Sequence, residues 1–133
     1  MGTEENKAVV RRFMTEVLAG GNLDVVDEVV APNYVNVAMG GADIAGLKAM
    51  VAAMRVVVKE QRLEDEELMA EGDAVFARFS YVLNLFDGTT TTVRAMAYYR
   101  LANGRIVVND VMFDPDLMQG LGPLMAPPSG ATS

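Results

Sequence analysis

The sequence predicts an α+β fold in which helices come first and an antiparallel sheet follows. Most apolar residues before Val58 repeat at helical spacing, whereas from Leu63 onward they alternate with polar residues, as in strands. Asp87-Gly88 and Asn103-Gly104 then separate three alternating segments, and such dipeptides favour tight β-hairpins. The expected architecture therefore has helices packed on one face of a four-stranded antiparallel meander.

Three helices are expected, each with recognisable boundary residues. Short polar side chains cap helix N-termini because they accept hydrogen bonds from backbone N–H groups that have no partner within the helix. Glycine and proline end helices, since glycine adopts left-handed backbone and proline lacks an N–H. In chain order, the expected signals are a cap at Thr3, an end at Gly20-Gly21, a cap at Asn22 or Asp24, an end at Pro32 and a cap at Asp43.

The expected strands lie mainly in the second half of the chain. A short strand is expected at 33–37, and the strands of the meander at 63–70, 75–86, 90–101 and 105–113. Residues 1–122 are expected to form a single domain, ending in a short helix through Leu117, Met118 and Leu121. The proline-containing segment 123–133 is expected to be a flexible tail.

Composition and charge exclude several classes of partner. The formal net charge of the 133-residue chain is -7, which argues against binding to nucleic acid or to anionic membranes, because both need a basic face. The acidic cluster of Glu64, Asp65, Glu66, Glu67 and Glu71 is interpreted as a solvated face. No signal peptide or membrane-spanning segment is recognisable, so a soluble cytoplasmic protein is expected.

The absence of histidine and cysteine restricts the possible chemistry. Without them the chain cannot form a Ser-His-Asp triad, a reactive thiol or a thiolate zinc site. We therefore expect neither a metal nor a cofactor. Any acid–base catalysis must use Asp, Glu, Tyr, Lys or Arg.

Asp110 is the most unusual residue of the predicted last strand. It interrupts the apolar run Val107–Phe113, and a carboxylate there is costly unless it is paired, hydrogen-bonded or protonated. Two interpretations stay open. Asp110 is either an acid in a pocket or a charge on the outer sheet face, paired with Arg94 or Arg100.

The order of elements and several short motifs resemble the SnoaL-like branch of the nuclear transport factor 2-like superfamily. The resemblance rests on Ala31-Pro32-Asn33-Tyr34-Val35, on Gly104-Arg105-Ile106 and on Phe113-Asp114, and it covers roughly residues 5–122. It implies a cone-shaped α+β barrel whose curved sheet encloses an apolar pocket. Members include polyketide cyclases, ketosteroid isomerases, limonene-epoxide hydrolases and non-catalytic binding domains, and many dimerise through the outer sheet face.

The local match to the limonene-epoxide hydrolases is partial. Tyr34 and Asn36 match a Tyr-x-Asn pair that helps to hold water in that family. The family's Arg-x-Asp pair falls on Arg78-Phe79-Ser80, and its second aspartate falls on Val111, so neither matching carboxylate is retained. The ketosteroid isomerase acid falls near Ala97.

The resemblance also suggests which residues form the site. Arg78 could bind an enolate oxygen, Tyr99 could donate to an oxyanion, and Met50 and Met54 could form an apolar wall. The alternatives are a cross-sheet ion pair for Arg78 and ordinary core packing for the others. The expected catalytic residues are Asp110, Arg78, Tyr34 and Asn36, and the expected substrate-binding residues are Tyr99, Asn109, Ser80, Val111, Met50, Met54 and Phe113.

Three functions follow as hypotheses from this resemblance. The first is a cofactor-free cyclase or isomerase that binds a polyketide-like, apolar, oxygenated metabolite and polarises its carbonyl or enolate. The second is an epoxide hydrolase or epoxide-opening cyclase. The third is a non-catalytic accessory dimer that binds a small molecule. In each case the expected protein partner is a second copy of the chain.

Overall fold

The structure, a computed structural model, describes residues 2–114. The expected helix through Leu117 and the expected tail lie outside the described residues. Helix α1 spans Thr3–Arg12 and continues directly into a π-helical segment, Phe13–Ala19. Gly2, rather than Thr3, occupies the N-cap position of α1.

The other two helices are capped as the sequence predicts. Helix α2 spans Leu23–Val29, and the Asn22 side chain accepts a hydrogen bond from the Asp24 backbone N–H at 3.0 Å. Helix α3 spans Ile44–Val57, and Asp43 accepts from the Gly46 backbone N–H at 3.0 Å. None of the helices within residues 2–114 is long and apolar enough to cross a membrane.

The strands form one five-stranded sheet in the order β1-β5-β4-β3-β2. The last four strands make the predicted antiparallel meander, and β1 pairs with β5 in parallel at one edge. This confirms an α+β fold with the helices packed on a sheet. The strands are β1 (Val30–Asn36), β2 (Val58–Glu71), β3 (Ala74–Leu85), β4 (Thr90–Ala102) and β5 (Arg105–Phe113).

Two predicted boundaries were wrong. Strand β2 begins at Val58, directly after α3, so it is longer than the predicted strand 63–70. Strand β1 begins at Val30 and contains Pro32, so helix α2 has already ended before that proline. Proline is tolerated there because β1 is an edge strand, where one side of the backbone needs no ladder partner.

The alternation of burial along β3 and β4 defines two faces of the sheet. The inner face carries the buried residues and packs against the helices, and the outer face carries the residues between them. Apolar side chains of the inner face and of all three helices form one core. From β3 and β4 the core takes Val75, Ala77, Phe79, Tyr81, Leu83, Leu85, Val93, Ala95, Ala97, Tyr99 and Leu101.

A β-bulge in β5 decides which of its residues face inward. Ile106 is buried, and simple alternation from it would also turn Val108 and Asp110 inward. The register with β4 instead shifts by one residue between Ile106 and Val108, and Asn109 becomes the next buried residue. The bulge thus places Asn109 on the inner face and Asp110 on the outer face.

A second irregularity lies in β2, within the acidic cluster. The register with β3 shifts between Glu64 and Glu67, and Asp65 has a left-handed backbone with φ of 53°. Before the shift Leu63 is partly buried, and after it Glu66 and Leu68 are partly buried. The shift thus separates Glu66 from its exposed acidic neighbours Asp65 and Glu67.

Candidate functional site

Three polar side chains meet in the largely apolar interior. Tyr34 and Asn36 are two residues apart on β1 and therefore point to the same face, and Asn36 is aligned with Asn109 in the parallel β1–β5 pairing. All three are buried, with exposures of 1%, 3% and 4%. Asn109 Nδ2 donates a hydrogen bond to the Tyr34 hydroxyl at 3.1 Å.

The hydrogen bonding of this cluster is incomplete. Within residues 2–114, the Asn36 Oδ1 and the Asn109 Oδ1 are buried and have no hydrogen-bond partner. A buried polar atom without a partner costs free energy, and most such atoms in folded proteins are satisfied by protein groups or by ordered water. The cluster therefore offers two acceptors to a molecule that enters the interior.

The Tyr34 hydroxyl stays protonated at neutral pH. Burial raises the pKa of Tyr34 above its usual value, because ionisation would place a charge in an apolar environment. The neighbouring side chains of Asn109 and Asn36 offset part of this increase. The phenol can therefore act as a hydrogen-bond donor or acceptor, but not as a resident anion.

Two further phenols lie in the core. Tyr99 is buried on the inner face of β4, where its ring packs edge-on against Phe13 with centroids 5.9 Å apart. Tyr81 on β3 donates from its hydroxyl to the Met14 carbonyl of the π-helical segment at 3.1 Å. Burial is the main reason that the pKa values of both phenols are raised, and proximity to Tyr34 contributes at Tyr99.

Glu66 is the acidic residue that the bulge of β2 brings towards the interior. Its Oε1 accepts a hydrogen bond from Arg11 Nε at 2.8 Å, and its side chain is 29% exposed. Its Oε2 is buried and has no hydrogen-bond partner in the described part of the chain. Glu66 also lies close enough to Tyr81 to help raise the pKa of that phenol, after burial and Tyr99.

Arg78 and Ser80 lie on the opposite face of the sheet from Tyr34. The Arg78 side chain is 60% exposed, and its Nη2 lies 3.4 Å from Glu67 Oε1. This placement is the cross-sheet ion pair that was the alternative interpretation of Arg78. The structure therefore does not bring Arg78 or Ser80 together with Tyr34 and Asn36.

Asp110 also lies on the outer face, where it is aligned with Tyr98 of β4. The Tyr98 hydroxyl accepts a hydrogen bond from Arg100 Nε at 3.0 Å, and the Tyr98 ring packs on Phe76. No ion pair joins Asp110 to Arg94 or Arg100 among residues 2–114. Asp110 therefore lies on the outer face, as one of the two interpretations proposed, but it does not pair with either of the expected arginines.

The expected apolar lining residues lie close to the inner core. Val111 on β5 and both Met50 and Met54 on α3 are partly buried and pack against it. Phe113, near the end of β5, is 43% exposed. Met50, Met54 and Val111 therefore border the core, whereas Phe113 lines an open groove together with Arg78 and Ser80.

Two cavities within residues 2–114 lie away from the buried cluster. A groove of about 560 Å³ is lined by outer-face residues, among them Arg78, Ser80, Arg94, Met96 and Met112, and also by Phe79, Ala95 and Phe113. A smaller pocket of about 250 Å³ lies beside the hairpin turns, next to Asn6 and Asp73. We place the candidate site at the buried cluster because it combines two buried, unpaired amide oxygens with a buried phenol, whereas the groove is lined by exposed charges together with apolar side chains.

Sequence reasoning missed the inward position of Glu66, because it grouped this residue with a solvated acidic face. A run of acids normally alternates between faces or remains exposed, and nothing in the run marks a bulge. The left-handed residue at the bulge is Asp65 rather than glycine, so the usual sequence signal is absent. Tyr81 was also missed, although its place in an alternating strand predicts burial.

Comparison with known families and structures agrees with this architecture. The SnoaL-like domain family matches residues 10–109 of the chain. No curated protein sequence matches significantly. Many solved structures match in fold.

Three solved structures illustrate the similarity in fold. A provisionally named polyketide cyclase from Bacillus cereus is 23% identical, with a TM-score of 0.79 over 89% of this chain and 80% of its own. Another, from Acidithiobacillus ferrooxidans, is 22% identical, with a TM-score of 0.75 over 90% and 96% of the two chains. AclR from Streptomyces galilaeus, provisionally named a hydroxylase, is 17% identical, with a TM-score of 0.78 over 96% and 91%.

Proposed function

Because the chain belongs to the SnoaL-like domain family, we propose that it binds an apolar, oxygenated small molecule inside its cone and cyclises or isomerises it without a cofactor. The buried cluster of Tyr34, Asn36 and Asn109, with its two unsatisfied amide oxygens, carries the proposal. An apolar interior with a few convergent polar groups is the usual character of a small-molecule site. The provisional names of the similar polyketide cyclases support the same substrate class.

The interior would act first by holding the substrate in a folded conformation. Val111, Met50 and Met54 supply an apolar wall, and methionine side chains adapt readily to the shape of a ligand. The polar cluster would fix one oxygen of the substrate at a defined point. Holding two reacting groups of one molecule close together removes much of the entropic barrier to ring closure.

Proton transfer would then fall to Glu66. Its buried Oε2 could take a proton from a carbon next to a carbonyl group, which gives an enolate. In an isomerisation the same proton returns to a different carbon. In a cyclisation the enolate carbon forms a bond to a second carbonyl carbon, and the oxygen of that carbonyl takes the proton. Arg11 would position the Glu66 carboxylate through its 2.8 Å hydrogen bond.

A non-catalytic binding protein is the second candidate. The observation in its favour is that, within residues 2–114, the buried polar side chains are asparagines and tyrosines, which carry no charge at neutral pH. Epoxide hydrolysis has less support. It would need Arg78 and Asp110 near Tyr34 and Asn36, but the two pairs lie on opposite faces of the sheet.

Proton exchange on a model ketone separates the two candidates. A hydroxytetralone carries one hydroxyl group and one ketone with exchangeable α-protons, and its deuteration in D₂O can be followed by proton NMR. We expect the protein to accelerate exchange above the buffer rate. Glu66→Gln should abolish that acceleration but retain binding, and Glu67→Gln, the same change on an exposed side chain, should preserve it.

Each other outcome has a definite meaning. Binding in the interior without accelerated exchange would support the binding-protein candidate. Accelerated exchange that persists in Glu66→Gln would remove Glu66 from the mechanism. If the ketone at millimolar concentration shifts no NMR signal of an inner-face residue, that result would contradict the proposed site itself.

We also propose that two copies of the chain associate through the outer sheet face. Phe76, Met96 and Met112 are exposed there, with 51%, 61% and 75% of their surface accessible. Charges of both signs accompany them, including Arg94 and Asp110. A face that combines apolar and oppositely charged groups can be complementary to itself in a symmetric dimer.

A further inference from the structure

We infer that the interior of the cone selects a neutral ligand that donates a hydroxyl hydrogen to the amide oxygens of Asn36 and Asn109. This inference rests on the proposed function, and it names the class of ligand that the same site would take. A phenol or an enol has the required group. A carboxylate, a phosphate or a molecule that carries only ether oxygens does not.

The unsatisfied atoms of the cluster determine whether the ligand should donate or accept a hydrogen bond. Both are amide oxygens, and the nitrogen of Asn109 already donates to the Tyr34 hydroxyl. A ligand hydroxyl can donate to either oxygen and so remove the penalty of an unsatisfied buried acceptor. An ether oxygen at the same point would place lone pairs against lone pairs and would leave both acceptors unsatisfied.

The charges of the chain disfavour a ligand that arrives at this position as an anion, whereas an enolate formed there takes over the charge that Glu66 gives up. Every lysine and arginine within residues 2–114 is at least partly exposed, and those of the sheet point to the outer face or to solvent. An anion in the interior would lose its hydration without gaining a cationic partner, which is strongly unfavourable. The interior phenols cannot compensate, because a neutral phenol supplies a single hydrogen bond.

Water could satisfy the same two oxygens when no ligand is bound. A ligand that displaces such water must reproduce its hydrogen bonds, or it loses affinity. This requirement sharpens the discrimination, because a hydroxyl reproduces the donated hydrogen bond and a methyl ether does not. Comparing two ligands that differ only in having a hydroxyl or a methyl ether therefore shows whether a ligand hydroxyl replaces the hydrogen bond that water would donate.

Three naphthalene derivatives substituted at the same ring position provide the test. Naphthol donates a hydrogen bond, its methyl ether only accepts one, and naphthoate is an anion at neutral pH. Their dissociation constants can be measured by fluorescence titration, with inner-face binding verified by NMR. We expect naphthol to bind about tenfold more tightly than the ether, which corresponds to one net hydrogen bond. Naphthoate should bind more weakly than either.

Paired substitutions assign the preference to the cluster. Asn109→Leu and Asn36→Leu replace the amide by an apolar group with the same branching, and each should lower the ratio of naphthol to ether affinity towards one. Asn84→Leu is the matched control, because Asn84 lies outside the cluster on β3, where its Oδ1 accepts a hydrogen bond from Thr90. That variant should leave the ratio unchanged.

The outcomes for this inference and for the proposed function are separable. Equal binding of naphthol and its ether inside the cone would overturn the inference but leave the proposed site intact. Tighter binding of naphthoate would overturn it as well. Binding of none of the three to the inner face would contradict the proposed function. The comparison in the wild-type protein decides the inference even if a substituted chain fails to fold.

Discussion

Asn109 donates a hydrogen bond to the hydroxyl of Tyr34 at 3.1 Å, and the two residues are 75 positions apart in the chain. This contact joins the last strand of the meander to the edge strand that follows α2. It forms only when β1 and β5 pair in parallel with Asn36 opposite Asn109. The polar cluster is therefore a product of the strand register, and not of any local motif.

Tyr34→Phe should destabilise the protein more than the same change on the outer face. It removes the acceptor of the Asn109 hydrogen bond and leaves a buried N–H group unsatisfied. We expect a loss of about 1–3 kcal/mol in the free energy of unfolding, measured with urea. Tyr98→Phe is the control and should cost less than about 0.5 kcal/mol. Equal effects would contradict the structural role of the Tyr34 hydroxyl.

Asp110→Asn and Arg78→Ala should have little effect on binding to the interior. Both residues lie on the outer face, and the ion pair of Arg78 with Glu67 is exposed on both sides. Exposed ion pairs contribute about 0–1 kcal/mol, so the stability of each variant should change only slightly. Affinity for naphthol, measured by fluorescence, should remain within about twofold, which is well below the effect of losing one hydrogen bond. A large loss of affinity in either variant would place the ligand on the outer face.

Alkaline pH should destabilise the fold through its buried phenols. The pKa values of Tyr34, Tyr81 and Tyr99 are raised above 10.0 in the folded state, chiefly by burial. A raised pKa means that the folded state favours the neutral phenol. This contribution to stability is therefore complete below pH 10 and is lost as the pH rises through the folded pKa values.

The alkaline effect can be followed by tyrosinate absorbance together with urea unfolding at each pH. We expect the free energy of unfolding to fall as the pH rises past 10, the ordinary value for a tyrosine. Tyr99→Phe should reduce the steepness of that fall because it removes one of the three buried phenols. Absorbance that shows all four tyrosines ionising together at their ordinary pKa would contradict the burial of these phenols.

Met96→Glu should disrupt the proposed dimer. The substitution places a charge on an exposed apolar part of the outer face, where a second copy would have to bury it. Sedimentation velocity should show a dimer for the wild-type chain and a monomer for this variant. Val56→Glu, on the exposed side of α3, introduces a charge away from the sheet and should remain dimeric. A monomeric wild-type protein would refute the proposal directly.

Much of the fold could be predicted because its signals are local. The caps at Asn22 and Asp43, and the turn dipeptides Asp87-Gly88 and Asn103-Gly104, depend on residue types with specific backbone preferences. The meander follows from them, since short turns leave consecutive strands few ways to pair. The parallel pairing of β1 with β5 was not predicted from the residues, because strands so distant in sequence carry no local signal of pairing.

The candidate site was less predictable, because two β-bulges decide which residues face inward. On β5 the register shift places Asn109 inside, and only the family resemblance anticipated that orientation. On β2 the shift turns Glu66 inward, and neither pattern nor resemblance indicated it. On β3, by contrast, side chains alternate regularly between the two faces. Because Phe79 is buried on the inner face, its neighbours Arg78 and Ser80 lie on the outer face.

Side-chain amide NMR of Asn36 and Asn109 reports directly whether a ligand enters the interior of the cone. Each side-chain NH₂ group gives a distinct pair of signals, which the Asn36→Leu and Asn109→Leu variants would assign. We expect saturating naphthol to shift both pairs of signals and to leave those of Asn84 in place. Shifts confined to Asn84 and to residues that line the outer groove would contradict a ligand site within the cone.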